Sequence, residues 1–129
     1  MKDTAMTTRN LTFDEFESTI VDKPIVLIDF WAPWCGPCRA FAPIFERSSR
    51  AHPEIVHAKV DTQTEPELAA VAGIRSIPAI IAFRDGILVY SQPGAMPPTV
   101  LEDLITKIKA LDMDTVRASI IARKAAASA

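Results

Sequence analysis

The sequence predicts an α/β domain with a central mixed sheet of four to five strands, about four flanking helices and a helical extension at its C-terminal end. Three observations lead there. Apolar, β-branched runs alternate with helically spaced segments in the first half, the pattern of a parallel strand, helix, strand unit. Asp85-Gly86 then joins two strand-like runs, a hairpin signal that adds an antiparallel half. Beyond it, Val100, Leu101, Leu104, Ile105, Ile108 and Leu111 trace one face of a helix. A length of 129 residues, 49% of them apolar, suffices for one domain with a single core.

Each element has a local reason. Thr12-Phe13-Asp14-Glu15 has capping-box form, and Phe13, Phe16 and Ile20 recur at helical spacing, so 12–21 reads as a helix that Lys23-Pro24 ends. An edge strand is expected near Leu11. Ile25-Val26-Leu27-Ile28-Asp29-Phe30-Trp31 is nearly continuous and suits a strand covered on both faces. A helix from about Cys35 to Arg50 turns Phe41, Ile44 and Phe45 inward, with Pro43 expected to kink it. Residues 55–60 are the next strand. Thr64-Glu65-Pro66-Glu67 reads as a second capping box opening a helix over 65–72, which Gly73 closes. The hairpin pairs 79–84 with 87–91. After Leu111, Val116, Ile120 and Ile121 continue a helix, and Ala125 to Ala129 are expected to fray. The expected organisation is therefore an N-terminal segment, 1–10, a domain, 11–111, and an extension, 112–129.

Charge and segment content narrow the function classes. The net charge of −2 comes with scattered basic residues, so nucleic acid is not an expected partner. Neither a secretory leader nor a run of about 20 apolar residues occurs, which predicts a cytoplasmic protein without a membrane partner.

The chain has two cysteines, in Trp34-Cys35-Gly36-Pro37-Cys38, directly after the apolar strand. That position puts the first sulfur at a helix N-terminus, where free N–H groups and the helix dipole favour a thiolate. Pro37 loses no useful N–H there and stiffens the turn. The alternatives are half of a zinc site, inert buried thiols, or a redox dithiol. Only His52 and His57 could complete a zinc site, and their spacing is not that of a usual histidine pair. Asp29 is costly inside an apolar strand unless it is paired, protonated or turned to water. Ile77-Pro78 precedes a strand, so the proline belongs at a strand start or in a special turn.

Asp29-Phe30-Trp31-Ala32-Pro33-Trp34-Cys35-Gly36-Pro37-Cys38-Arg39, followed by Ile74-Arg75-Ser76-Ile77-Pro78 and Arg84-Asp85-Gly86, resembles the thioredoxin family over about residues 11–111. Ala32-Pro33-Trp34 and Phe41-Ala42-Pro43-Ile44-Phe45-Glu46 are most similar to its bacterial thioredoxin 2 branch. Members of that branch usually carry an N-terminal zinc ribbon with four further cysteines. Here those cysteines are missing, so metal-linked regulation is not carried over and no metal is expected.

The resemblance implies a thioredoxin fold and the reduction of protein disulfides. Cys35 would be the nucleophile and Cys38 the resolving thiol, the two forming the redox disulfide. Asp29 would be the proton acceptor of Cys38, tuned by Lys59; an outward-facing strand charge and a solvated lysine are the plainer readings of these two. Trp34, Gly36, Pro37, Ile77, Pro78 and Gly94 would form the substrate groove, with a cis bond at Ile77-Pro78, although a plain turn also accounts for Gly94. Trp31 is read as core packing. No bound cofactor is implied; electrons come from NADPH through thioredoxin reductase, the expected partner beside disulfide-containing client proteins, and the chain acts as a monomer. Pro93 stands where the family has a small apolar residue, which points to altered substrate preference. Rival readings are a disulfide oxidase or isomerase of the same fold, and a docking or chaperone module.

Overall fold

The computed structural model describes residues 7–128. In chain order the elements are β1 (Arg9–Asn10), α1 (Phe13–Asp22), β2 (Ile25–Trp31), α2 (Gly36–Ala51), β3 (Val56–Asp61), α3 (Pro66–Val71), β4 (Ala79–Arg84), β5 (Ile87–Pro93), α4 (Pro98–Lys109) and α5 (Met113–Ser128). They form one five-stranded mixed sheet in the order β1-β3-β2-β4-β5. The β1/β3 and β2/β3 pairs are parallel, and the β2/β4 and β4/β5 pairs antiparallel.

β2 is central because its side chains are apolar on both faces, and the period of two divides them between two cores. Ile25 and Leu27 join Ile80 and Ala82 against Phe41 and Phe45 of α2 and Leu101, Ile105 and Ile108 of α4. Val26, Ile28 and Phe30 pack on the opposite face with Ala58, Val60, Ile81, Leu68 of α3, and Phe16 and Ile20 of α1. Each fully buried large side chain contributes about 1.5–3 kcal/mol, so register is set from both sides. Asp29 shares the parity of Leu27 and therefore points to the face that α2 covers. The hairpin turns through Asp85 (φ 53°) and Gly86 (φ 79°), the left-handed pair that a tight two-residue turn requires.

Several expectations need correction. The tail does not fray from Ala125: α5 runs through Ser128, whose hydroxyl donates to the Lys124 carbonyl, and alanine is the strongest helix former. Ala129, like residues 1–6 of the expected N-terminal segment, lies outside the described residues. The second capping box is not made. Glu65 instead accepts the Phe13 N–H at 3.0 Å and caps α1 from across the fold. Phe13 itself is exposed, and only Phe16 and Ile20 turn inward. β5 extends two residues past Ser91, because Gln92 and Pro93 still pair with Ile80 and Ala79. Among the described residues no helix is long and apolar enough to cross a membrane.

Candidate active site

Cys35 is the N-cap of α2 and Cys38 lies in its first turn, after Pro37. The two are joined as a disulfide. The Cys38 N–H donates to Cys35 Sγ at 3.2 Å, so a free N–H of the helix end is aimed at this sulfur, where it favours a negative charge. Cys35 is 5% exposed and Cys38 2%, a difference too small to rank them. What makes them unequal is the cap position and the hydrogen bond that Cys35 accepts.

Around the pair, Ala32, Trp31 and Ile77 form a small apolar cluster. The Ile77-Pro78 bond is cis, and the Pro78 carbonyl accepts the Gly94 N–H at 2.7 Å. This bond brings Gly94 (φ 106°) to the start of β4. Glycine is needed there for its backbone conformation, since nothing else among the described residues would meet a Cβ. Trp34 stands out from this wall at 65% exposure. Gly36 is likewise uncrowded.

Asp29 is fully buried and neither carboxyl oxygen has a hydrogen-bond partner among the described residues. Burial pushes its carboxyl up to about 7, against the opposing pull of the Lys59 charge. The register pairs Asp29 directly with Lys59 on β3 and Ile80 on β4. An outward-facing strand charge is therefore excluded. The Lys59 ammonium lies 4.8 Å from the centre of the Trp31 ring, a contact that required knowledge of the register and had no signal in the sequence.

The zinc alternative fails on distance. His52 caps the far end of α2, about 24 Å along a helix of this length from the cysteines. His57 is bonded to Ser48 near that same end, while metal ligands converge to within about 2.3 Å of the ion. Among the described residues no three His, Cys, Asp or Glu side chains gather to hold a metal.

A dithiol closed into a disulfide at a helix N-terminus, with the helix-end N–H aimed at the first sulfur, defines a thiol–disulfide oxidoreductase. The family model described as thioredoxin matches residues 7–109. A Streptomyces coelicolor protein described as "Putative thioredoxin 2" is 46% identical over 93% of this chain and 90% of its own length. Thioredoxin 1 of Synechococcus elongatus is 42% identical over 71% and 88%. Among solved structures, Plasmodium falciparum thioredoxin superposes with a TM-score of 0.72 at 34% identity, covering 78% of this chain and 98% of that one. The chain belongs to the thioredoxin family. It is a protein-disulfide reductase that works by dithiol exchange through Cys35 and Cys38.

Proposed function

We propose that Cys35 is the attacking thiolate, Cys38 the resolving thiol and Asp29 the proton acceptor of Cys38. A free thiol with a pKa of about 8.5 is mostly protonated at neutral pH, so the helix end must favour the Cys35 anion. The Cys35 thiolate attacks a disulfide of the client, forming a mixed disulfide and releasing the client's other sulfur as thiolate. Cys38, its proton passed to Asp29, then attacks Cys35 Sγ. The Cys35–Cys38 disulfide forms, and the client leaves as a dithiol carrying two electrons. The observation that carries this assignment is the Cys38 N–H aimed at Cys35 Sγ.

Lys59 tunes Asp29, a reading supported by their direct pairing across β2 and β3. Trp34, Gly36, Pro37, Ile77, Pro78 and Gly94 line the client groove, where an extended segment pairs with the backbone at Ile77. Re-reduction takes two electrons from NADPH through thioredoxin reductase, as family membership suggests, and the protein works in the cytoplasm as a monomer. Residues 11–111 together with β1, which pairs with β3, make the catalytic domain, with 112–129 as an appendage.

The test is disulfide reduction with insulin as substrate. Cys35→Ser abolishes it, and Cys38→Ser holds clients as mixed disulfides that a reductant releases. A Cys38→Ser chain that captures nothing, or a Cys35→Ser chain that still reduces insulin, overturns the assignment.

A further inference from the structure

The Lys59 ammonium acts on Asp29 without touching it. Among the described residues neither Asp29 oxygen has a hydrogen-bond partner and no carboxylate lies within ion-pairing distance of Lys59 Nζ. A flexible four-carbon stem would leave such a charge free to swing into water. The recess it occupies, lined also by Asp61 and Glu65, opens towards solvent and offers two anions to follow. What the ammonium does meet is the Trp31 ring, 4.8 Å away at its centroid. Trp31 is two residues beyond Asp29 on β2, so both side chains leave the same face. Lys59 stands directly opposite Asp29 and diagonally opposite Trp31, within reach of a large ring.

We propose that Trp31 is a positioning residue of this site: its ring face holds the Lys59 ammonium at the Asp29 register and so sets the positive charge that Asp29 feels. This rests on the reading of Asp29 as proton acceptor and Lys59 as its partner. The attraction is that of a cation for an aromatic face, strengthened here because Trp31 is half-buried. The other groups facing Asp29 compete little. β4 presents Ile80, the Cys35–Cys38 disulfide at the start of α2 does not titrate, and burial lowers the pKa of His57 on the same face of β3 and so disfavours its charge.

Removing the ring has two effects of opposite sign on Asp29. Admitting water lowers its midpoint, and freeing Lys59 raises it. A double-mutant cycle separates them. The Asp29 midpoint is read by carboxyl-carbon NMR on the oxidised full-length chain, in the parent, Trp31→Leu, Lys59→Met and the double variant. Trp31→Leu is expected to place the midpoint at least about half a pH unit higher with Lys59 present than its effect in the Lys59→Met chain predicts. A unit charge retreating by a few Å at an effective dielectric of about 20 makes a shift of that size. An identical effect of Trp31→Leu in both backgrounds, or a lower midpoint with Lys59 present, overturns the proposal. Should Trp31→Leu not fold, the parent decides alone: the Lys59 ε-methylene protons are shifted upfield by the ring current, and random-coil positions overturn the assignment. Failure of the underlying reading is seen separately, as unchanged turnover of Asp29→Asn across pH.

Discussion

At the scale of the residue, Asp29 is a stability defect buried on the sheet face that α2 covers. The folded chain holds its proton up to about 7, whereas an exposed aspartate releases it near 3.8. Below pH 3.8 both states are protonated and the residue costs nothing. As pH rises from there to about 7 only the unfolded chain ionises, so stability falls, by about 4 kcal/mol in full. Asp29→Ala removes that penalty and leaves a cavity whose cost does not depend on pH. The stability of Asp29→Ala relative to the parent, from urea unfolding, is therefore expected to rise by about 4 kcal/mol between pH 4 and pH 8. A difference that stays flat over this range would remove the buried charge from the account.

At the scale of the element, α2 does two jobs at its two ends. Its first turn presents the cysteines, and its last turns anchor the chain entering β1. Glu46, 6% exposed, accepts the Thr7 N–H at 2.7 Å and the Thr7 and Thr8 hydroxyls at 2.8 Å each. Burial alone would raise its carboxyl, but these bonds outweigh burial and hold it at about 2. The anchor is thus complete above pH 4.5 and is lost as pH falls towards 2. Glu46→Gln is expected to cost about 1–3 kcal/mol at neutral pH. The effect should concentrate at β1, where the Leu11 N–H bonded to the Lys59 carbonyl exchanges with solvent faster than core amides. Unchanged exchange at Leu11 would mean that β1 is held by the sheet alone.

At the scale of the molecule, two cores share one sheet and α5 stands apart from both. Met113 is buried, Val116 and Ile120 are half-buried, and Arg117 reaches Asp85 in the hairpin turn at 3.3 Å. One buried methionine and an exposed ion pair contribute little, so ending the chain at Leu111 is expected to cost about 1–3 kcal/mol. Insulin reduction should be unchanged, since none of the proposed site residues lies beyond Gly94. A truncated chain that folds but reduces insulin poorly would assign α5 a part in client handling.

The sequence by itself determined the element order, the mixed sheet, the hairpin and the dithiol, because these follow from local periodicity, turn chemistry and spacing. Ile25 to Trp31 could be read as a doubly covered strand from seven residues alone, and Cys35 as a helix start from the Gly36-Pro37 step. The cis bond at Ile77-Pro78 came only from resemblance, as the residues themselves favour trans. Tertiary structure decided what depends on partners distant in the chain. Glu65 caps α1 rather than its own helix because Phe13 is brought to it, and Glu46 is a buried anchor because Thr7 and Thr8 arrive from 39 and 38 residues away. Asp29, Trp31 and Lys59 become one unit only when β2 and β3 align in parallel, residue against residue. A charge's effect falls with distance and grows with burial, and neither quantity exists until the sheet is formed.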